Sequence, residues 1–170
     1  MNGDTQRDIA QRILQALYEA WERHTLVSLN PVQAEGGWDK ALFRTVVDRL
    51  EDDGLIRGAA SGYSFAITPD GISRAEENQI VPADNIERHQ QIRSHILEHL
   101  AKLYELEGSR AHAHYEKIAE GAPVRHAMEI LKDLSYLSDL NEIEAASTSS
   151  YRMTNSRYRN FRGADLEELL

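Results

Sequence analysis

Apolar residues recur at three- and four-residue spacing along two long stretches of the chain. The first stretch runs from Gln6 to about His24 and the second follows Pro82, and each spacing predicts an amphipathic helix. Asp4 or Thr5 is a suitable N-cap for the first helix. The apolar positions are Ile9, Ile13, Leu14, Leu17, Tyr18 and Trp21 in the first helix, and Ile92, Ile96, Leu97, Leu100, Leu103 and Tyr104 in the second.

A third apolar stripe opens the segment from Trp38 to Gly71. The spacing of the stripe, at positions i, i+3, i+4 and i+7, predicts a helix. Gly54 follows the last turn and predicts the end of this helix, because glycine adopts positive φ at the lowest energetic cost. An extended pair, Leu55-Ile56, comes next, and after a turn of small residues an alternating apolar pattern predicts a strand. The sequence T-P-D-G then predicts a turn, and residues 72–77 a short helix. The stripe is Phe43, Val46, Val47 and Leu50, and the alternating residues are Tyr63, Phe65 and Ile67.

Asn30 and Pro31 predict one more helix, because proline suits the first turn of a helix that asparagine caps. This short helix, at about residues 31–35, would precede the Trp38–Gly71 segment. The whole pattern of helix, helix, glycine, strand, turn, strand and T-P-D-G resembles the winged helix-turn-helix superfamily. That resemblance implies a homodimer that binds specific double-stranded DNA. The second helix of the motif would enter the major groove and the wing would lie on the DNA backbone.

The second half of the chain repeats the apolar pattern of the first half. Ile13–Leu17 aligns with Ile96–Leu100, 83 residues later; Val46–Leu50 with Ile130–Leu134, 84 later; and Ser64–Thr68 with Ser150–Thr154, 86 later. Three elements that agree in the same order predict a tandem duplication. We therefore expect a mainly α protein with small β-wings (α+β), built as two tandem winged-helix domains. The expected parts are domain 1 (1–80), a linker (81–86), domain 2 (87–163) and an acidic, apolar C-terminal tail (164–170) that frays or packs on a partner.

Candidate DNA-binding residues follow from this resemblance and from their chemistry. Arginine can contact guanine bidentately, and a major-groove helix reads bases with its N-terminal residues. Arginines interleaved with aromatic residues suit phosphates and the minor groove. The candidates are Lys40, Arg44 and Thr45 on the first motif helix, Arg125 and Lys132 on its counterpart at residues 124–137, and Arg152, Arg157, Arg159 and Arg162 on the second wing. The alternatives are a solvated helix face for the first set and a salt-bridged surface for the last.

The composition and the absent motifs exclude several kinds of functional site. The 170 residues carry a net charge of −9, so any contact with DNA must come from local basic patches. No cysteine is present, which excludes disulfides and thiolate chemistry. His95 and His99 have a zinc-compatible spacing but lack a third ligand in sequence, so we expect no metal and no cofactor. Without a P-loop, G-x-S-x-G or Rossmann motif, we expect no enzyme.

The sequence predicts a cytoplasmic protein that does not span a membrane. No apolar run is long enough for a membrane span, and the N-terminus lacks a secretory signal pattern. Apolar residues beyond what a small domain readily covers, such as Trp21 and Leu103, either pack inside a domain or support a homodimer. The acidic composition also resembles the kleisin-interacting winged-helix elements of chromosome-organising complexes. That second resemblance implies a protein-interaction subunit of a larger DNA-associated complex.

Overall fold

A computed structural model of the chain describes residues 2–60, 62 and 64–169, and the side chains of residues 3–60, 62 and 64–163. The chain divides into two compact units, Met1–Ile86 and Glu87–Leu170. It is 64% helix and 10% strand, with small antiparallel sheets, against roughly one third helix in an average domain. The prediction of a mainly helical α+β class is confirmed. Tyr63, expected in a strand, lies outside the described residues.

Unit 1 contains four helices and a three-stranded sheet. The elements are α1 (Asn2–Glu22), β1 (Val27–Ser28), α2 (Asn30–Gly36), α3 (Lys40–Asp52), β2 (Ile56–Gly58), β3 (Ser64–Ile67) and α4 (Pro69–Glu77). The sheet is antiparallel with the order β1-β3-β2, and in its register Val27 pairs with Phe65, and Ile56 with Ile67. The predicted apolar stripe of α3 is buried, together with the inner face of α1.

The turn between α2 and α3 depends on two glycines. Gly37 has φ of +63°, which ends α2 in the left-handed region. A Cβ on Gly36 would overlap the indole ring of Trp38, so that ring can cover the end of α2 only because residue 36 is glycine. Gln33 donates a side-chain hydrogen bond to the carbonyl of Trp38. Asp39 then caps α3 by accepting from two backbone amides, at 3.0 Å each.

Some local predictions for unit 1 need correction. The helix α1 already begins at Asn2, so neither Asp4 nor Thr5 is its N-cap. The helix α2 begins at Asn30 itself, so its N-cap is Leu29 and not Asn30, whose backbone amide donates to the hydroxyl of Ser28. T-P-D-G forms the first turn of α4, because the Thr68 hydroxyl accepts from the amide of Gly71 and proline is tolerated in a first helical turn.

Unit 2 has the same sequence of elements. A long helix, α5 (Ala83–Glu107), leads into it, and then come β4 (Ala113–His114), α6 (Tyr115–Ala119), a single 3-10 turn (Ala127–Glu129), α7 (Ile130–Asp139), β5 (Glu144–Ala145), β6 (Ser150–Arg152) and α8 (Asn155–Leu169). Its sheet has the order β4-β6-β5, which is the order of the first sheet element for element. The two units therefore share one topology.

The burial pattern corrects the alignment of the third helix with its counterpart. The buried positions Phe43, Val46, Val47 and Leu50 of α3 match Ile130, Asp133, Leu134 and Leu137 of α7, which are 87 and not 84 residues later. The ends of the helices agree with this register. Gly54 after α3 and Asn141 after α7 both have positive φ, +73° and +58°. The 84-residue alignment was wrong because it shifted the apolar stripe by three residues, to positions that are also largely apolar.

Three boundaries in the second half also differ from the predictions. The helix α5 begins at Ala83, inside the segment 81–86 that was expected to be a linker, and Val81 is buried. The helix expected over residues 124–137 starts only at Ala127, because residues 122–124 form a tight turn and His126 is extended. The helix α8 continues through the predicted tail to Leu169, and the side chains of residues 164–170 lie outside the described part.

A buried ionic cluster occupies one of the matched positions in unit 2. Asp133, which is fully buried, stands where unit 1 has Val46. His89 Nδ1 and Arg93 Nε each donate to one of its carboxylate oxygens, both at 2.8 Å. The guanidinium of Arg93 also lies 3.9 Å from the ring centroid of Tyr136. The cluster connects α5 to α7 through polar contacts, whereas the corresponding helices of unit 1, α1 and α3, pack through apolar contacts at this position.

Candidate nucleic-acid interface

An open groove of about 620 Å³ lies on unit 1 between α2, the first half of α3 and the β2–β3 hairpin. Phe43, Val47 and Phe65 form its apolar base, and polar side chains from both helices surround it. The polar groups that line the groove are Asn30, Gln33, Lys40 and Arg44. The groove therefore joins apolar surface to two cations and two amides that can donate hydrogen bonds.

Lys40 and Arg44 lie one turn apart on the exposed side of α3. The side chain of Arg44 is 65% exposed, and its Nε lies 2.8 Å from a carboxylate oxygen of Asp48, one turn further on. Lys40 is exposed at the first position of the helix. Their four-residue spacing places both cations on one face. The structure thus brings together two of the predicted site residues, together with one acid.

Thr45 is exposed on the same half of α3 but does not line the groove. Its hydroxyl donates to the carbonyl of Ala41 at 3.0 Å, within the helix. The hydroxyl oxygen keeps acceptor capacity, and the methyl group remains available for apolar contact. Sequence reasoning missed Asn30 and Gln33, although their place on the short helix before α3 is the signal that could have found them.

The four arginines of the predicted basic wing of unit 2 do not lie together on a wing in the structure. Only Arg152 lies on the β5–β6 hairpin, and its guanidinium forms two hydrogen bonds of 3.1 Å with the carboxylate of Glu144 on the neighbouring strand. These hydrogen bonds hold the pKa of Glu144 below its ordinary value. The pair is matched in charge, so the hairpin offers no net positive group at this position.

Arg157, Arg159 and Arg162 lie on α8 and not on a wing, because Thr154 begins a helix immediately after β6, as Thr68 does after β3. Arg162 contacts two acids of α5, Glu105 at 2.7 Å and Glu98 at 3.3 Å. Its hydrogen bond to Glu105 is the main reason that the pKa of that carboxyl is lowered. The salt-bridged surface was therefore the better interpretation of this residue.

Arg157 is bound within unit 2 as well. Its guanidinium donates to the carbonyl of Asn141 at 2.7 Å and lies 3.3 Å from Glu142. It covers the C-terminal end of α7, where helix carbonyls lack partners within the helix. Arg159, in contrast, is exposed, and no ion pair of its side chain is found among the described residues.

The two candidates expected on the second motif helix are separated. Arg125 is exposed in the bend before the 3-10 turn, and its backbone amide donates to the carboxylate of Glu129. Lys132 is half-buried in the first turn of α7. They do not form one surface like that of Lys40 and Arg44, because the helix starts after Arg125.

The histidine pair on α5 has other contacts. His95 Nε2 donates to the carbonyl of Ile118 at 2.7 Å, and the ring of His99 lies 6.2 Å from that of His95. Burial, and then the nearby His95, lower the pKa of His99. Within the described ranges no group of three or more His, Cys, Asp or Glu side chains could hold a metal ion.

Comparisons with protein-family models, with curated proteins and with solved structures find no match to this chain. Of the helices in the described part, none is long and apolar enough to cross a membrane.

Proposed function

We propose that the chain is a DNA-binding regulator built from two tandem winged-helix domains, and that unit 1 is the unit that binds DNA. The observation that carries this proposal is the exposed pair Lys40 and Arg44 at the start of α3, beside the groove that α2 and the β2–β3 hairpin border. In this proposal α3 enters the major groove, α2 lies against the backbone, and the hairpin is the wing.

The element order of each unit supports the fold assignment. In each unit, three helices precede a hairpin whose last strand also pairs with a short earlier strand, and a repeated element order of this kind supports the assignment of two winged-helix domains. Chance agreement of two such topologies in one chain is improbable, whereas duplication explains it directly.

The ion pair of Arg44 does not prevent base contact. An exposed i,i+4 pair such as Arg44–Asp48 is worth ~0.3–0.5 kcal/mol, whereas a bidentate contact of arginine with guanine contributes ~1–3 kcal/mol to discrimination. Exchange of one partner for the other is therefore favourable. Asp48 limits the strength of binding, because its carboxylate also faces the phosphates.

The test is binding of the full chain to random and selected DNA duplexes as a function of salt concentration. We expect a linear fall of log K with log salt, and a slope smaller by ~0.9 for each phosphate contact that a substitution removes. Lys40→Ala should weaken binding to all duplexes, and Arg44→Ala should relax the preference at one base pair by ~1–3 kcal/mol.

Arg23→Ala is the matched control, since the Arg23 side chain is 68% exposed and pairs with Glu19 one turn away, as Arg44 pairs with Asp48, but Arg23 does not line the groove. It should leave the affinity within twofold or so of the parent value. Absence of binding to any duplex at low salt would refute the proposal. Equal losses in all three variants would show that only the total charge matters.

A second candidate function is a protein-interaction subunit of a DNA-associated complex. The observation that favours it is that Arg152, Arg157 and Arg162 of unit 2 are all held in ion pairs, which leaves little positive surface there. Winged-helix domains without a basic face can bind proteins instead of DNA. Stable co-purification with one coiled-coil or kleisin-like protein, without DNA binding, would support this function over the first.

A further inference from the structure

A second groove of unit 1, of about 480 Å³, lies between α1, α3 and α4. Its base includes the apolar residues Leu14, Val46 and Leu50, and Ile80 closes one end. The size is sufficient for a few side chains of a docked helix, which is how amphipathic helices bind to apolar grooves.

Three arginines surround this groove, one from each helix. Arg7, Arg49 and Arg74 are exposed, and no ion pair of their side chains is found in the described part of the chain. Asp53 is the single acidic residue among those that line the groove. The groove is thus apolar at its base and positive at its rim, in a chain whose net charge is −9.

On the corresponding face of unit 2, larger and charged side chains occupy two of the matched positions. Arg93 takes the position of Ala10, which lines the groove, and Asp133 takes the position of Val46. Arg93 is 8% exposed and packs over α7. The apolar groove of unit 1 thus lies where unit 2 has a buried ion pair between its first and third helices.

We propose that this groove binds the C-terminal segment, residues 164–170, of a second copy of the chain. The segment has the complementary chemistry, with three acids and three leucines in its last six residues: Asp165, Leu166, Glu167, Glu168, Leu169 and Leu170. The three leucines are spaced i, i+3 and i+4, a sequence pattern that places them on one face of a helix when the segment docks as one. The leucines would enter the groove, and the carboxylates would pair with the arginines.

This dimer contact is independent of the DNA-binding proposal. At 100° per residue, Arg49 is turned by roughly 180° from Lys40 around the axis of α3. The groove therefore lies on the side of α3 away from Lys40 and Arg44, and substitutions there leave the candidate nucleic-acid interface unchanged.

Sedimentation equilibrium of the full chain tests the proposal. We expect a concentration-dependent dimer, with a dissociation constant raised tenfold or more by Arg49→Glu and likewise by Glu168→Arg. A mixture of the two variants should recover dimers near the parent affinity. In a twofold dimer one contact of the mixed pair joins the two substituted side chains, whose charges are exchanged but still opposite, and the other contact keeps the native residues. Removal of residues 164–170 should give monomers.

Arg57→Glu is the control, because it makes the same charge change on the exposed strand β2, outside the groove. It should not change the dissociation constant. Arg74→Glu provides a second variant in the groove, and circular dichroism confirms that each variant is folded. A parent chain that stays monomeric up to roughly 100 µM would overturn the proposal. So would a dimer that neither Arg49→Glu nor Arg74→Glu weakens.

Discussion

Replacement of Asp133 by alanine removes the acceptor that two buried donors share. His89 and Arg93 would keep their places between α5 and α7, at 2% and 8% exposure, without the carboxylate that accepts a hydrogen bond from each of them. Removal of one partner from a buried ionic cluster typically destabilises a protein by ~3–5 kcal/mol, because the remaining charge is left uncompensated. We expect a loss in this range for Asp133→Ala.

The size of this loss can be compared with the stability of the unit. A compact unit of residues 87–170 has a free energy of unfolding of roughly 4–12 kcal/mol at usual values per residue. The substitution would therefore consume a large part of it. For a domain of this size, 1 kcal/mol lowers the melting temperature by ~4–8 °C, so the transition should move down by ~12–40 °C.

A compensated variant separates the loss of a partner from the loss of the cluster. Asp133→Val introduces the residue that unit 1 has at this position, Val46, and Arg93→Met with His89→Leu removes the two side chains that donate to Asp133. Exchange of a whole buried ionic cluster for apolar residues of similar volume is often neutral or stabilising by ~1–4 kcal/mol. The triple variant should therefore be much more stable than Asp133→Ala.

The two tryptophans make the assay specific. Trp21 and Trp38 both lie in unit 1, so tryptophan fluorescence follows that unit while far-ultraviolet circular dichroism follows both. Asp133→Ala should shift part of the dichroism transition in urea and leave the fluorescence transition in place. A loss below ~1 kcal/mol, or a triple variant as unstable as the single one, would refute the reasoning.

Two further predictions concern one position in each unit. A Cβ on Gly71 would overlap the carbonyl oxygen of Leu55, so Gly71→Ala should destabilise unit 1 by ~1–3 kcal/mol in the fluorescence assay. The control is Gly3→Ala, where a Cβ meets nothing within 4 Å, and it should change the free energy of unfolding by less than ~0.5 kcal/mol. Equal effects of the two substitutions would contradict this explanation. Burial lowers the pKa of His99 below 6.5, so the folded state binds a proton less readily than the unfolded state. The free energy of unfolding of unit 2 should fall as the pH falls through 6.5, and His99→Gln should reduce that fall; an unchanged pH profile would contradict it.

Helices and hairpins were largely predictable from the sequence, because their signals are local. The stripe of α3, the positive φ of Gly54 and the alternation around Phe65 depend on residues close in the chain. The hairpin of each sheet follows from the same segments, but the short strands β1 and β4, which pair with β3 and β6, were not predicted. Boundaries were less accurate, as at Asn2 and Ala127, because side-chain caps and tight turns compete at helix ends.

The errors at the candidate site have a different origin. Whether an arginine is exposed or paired depends on residues far away in sequence, such as Glu98 and Glu105 for Arg162. The exchange of Val46 for Asp133 was missed for a similar reason, because a buried carboxylate is understandable only with its partners on another helix. The spacing of apolar residues along the chain contains no information on ion pairs between residues that are distant in sequence.

Arg157 shows how these contacts change an experimental expectation. If Arg157 were a wing residue, its loss would weaken DNA binding. Its guanidinium instead donates to the carbonyls of Asn141 and Leu140, at 2.7 and 3.5 Å, and forms an ion pair with Glu142. Hydrogen bonds that involve a charged group contribute ~1.5–3 kcal/mol. We therefore expect Arg157→Ala to destabilise unit 2 by about this amount, measured by circular dichroism, with the duplex affinity of the folded protein unchanged. Arg159→Ala, an exposed neighbour on the same helix, should alter stability by less than ~0.5 kcal/mol. If Arg157→Ala instead weakened DNA binding at full stability, α8 would belong to the interface and the assignment of DNA binding to unit 1 alone would be wrong.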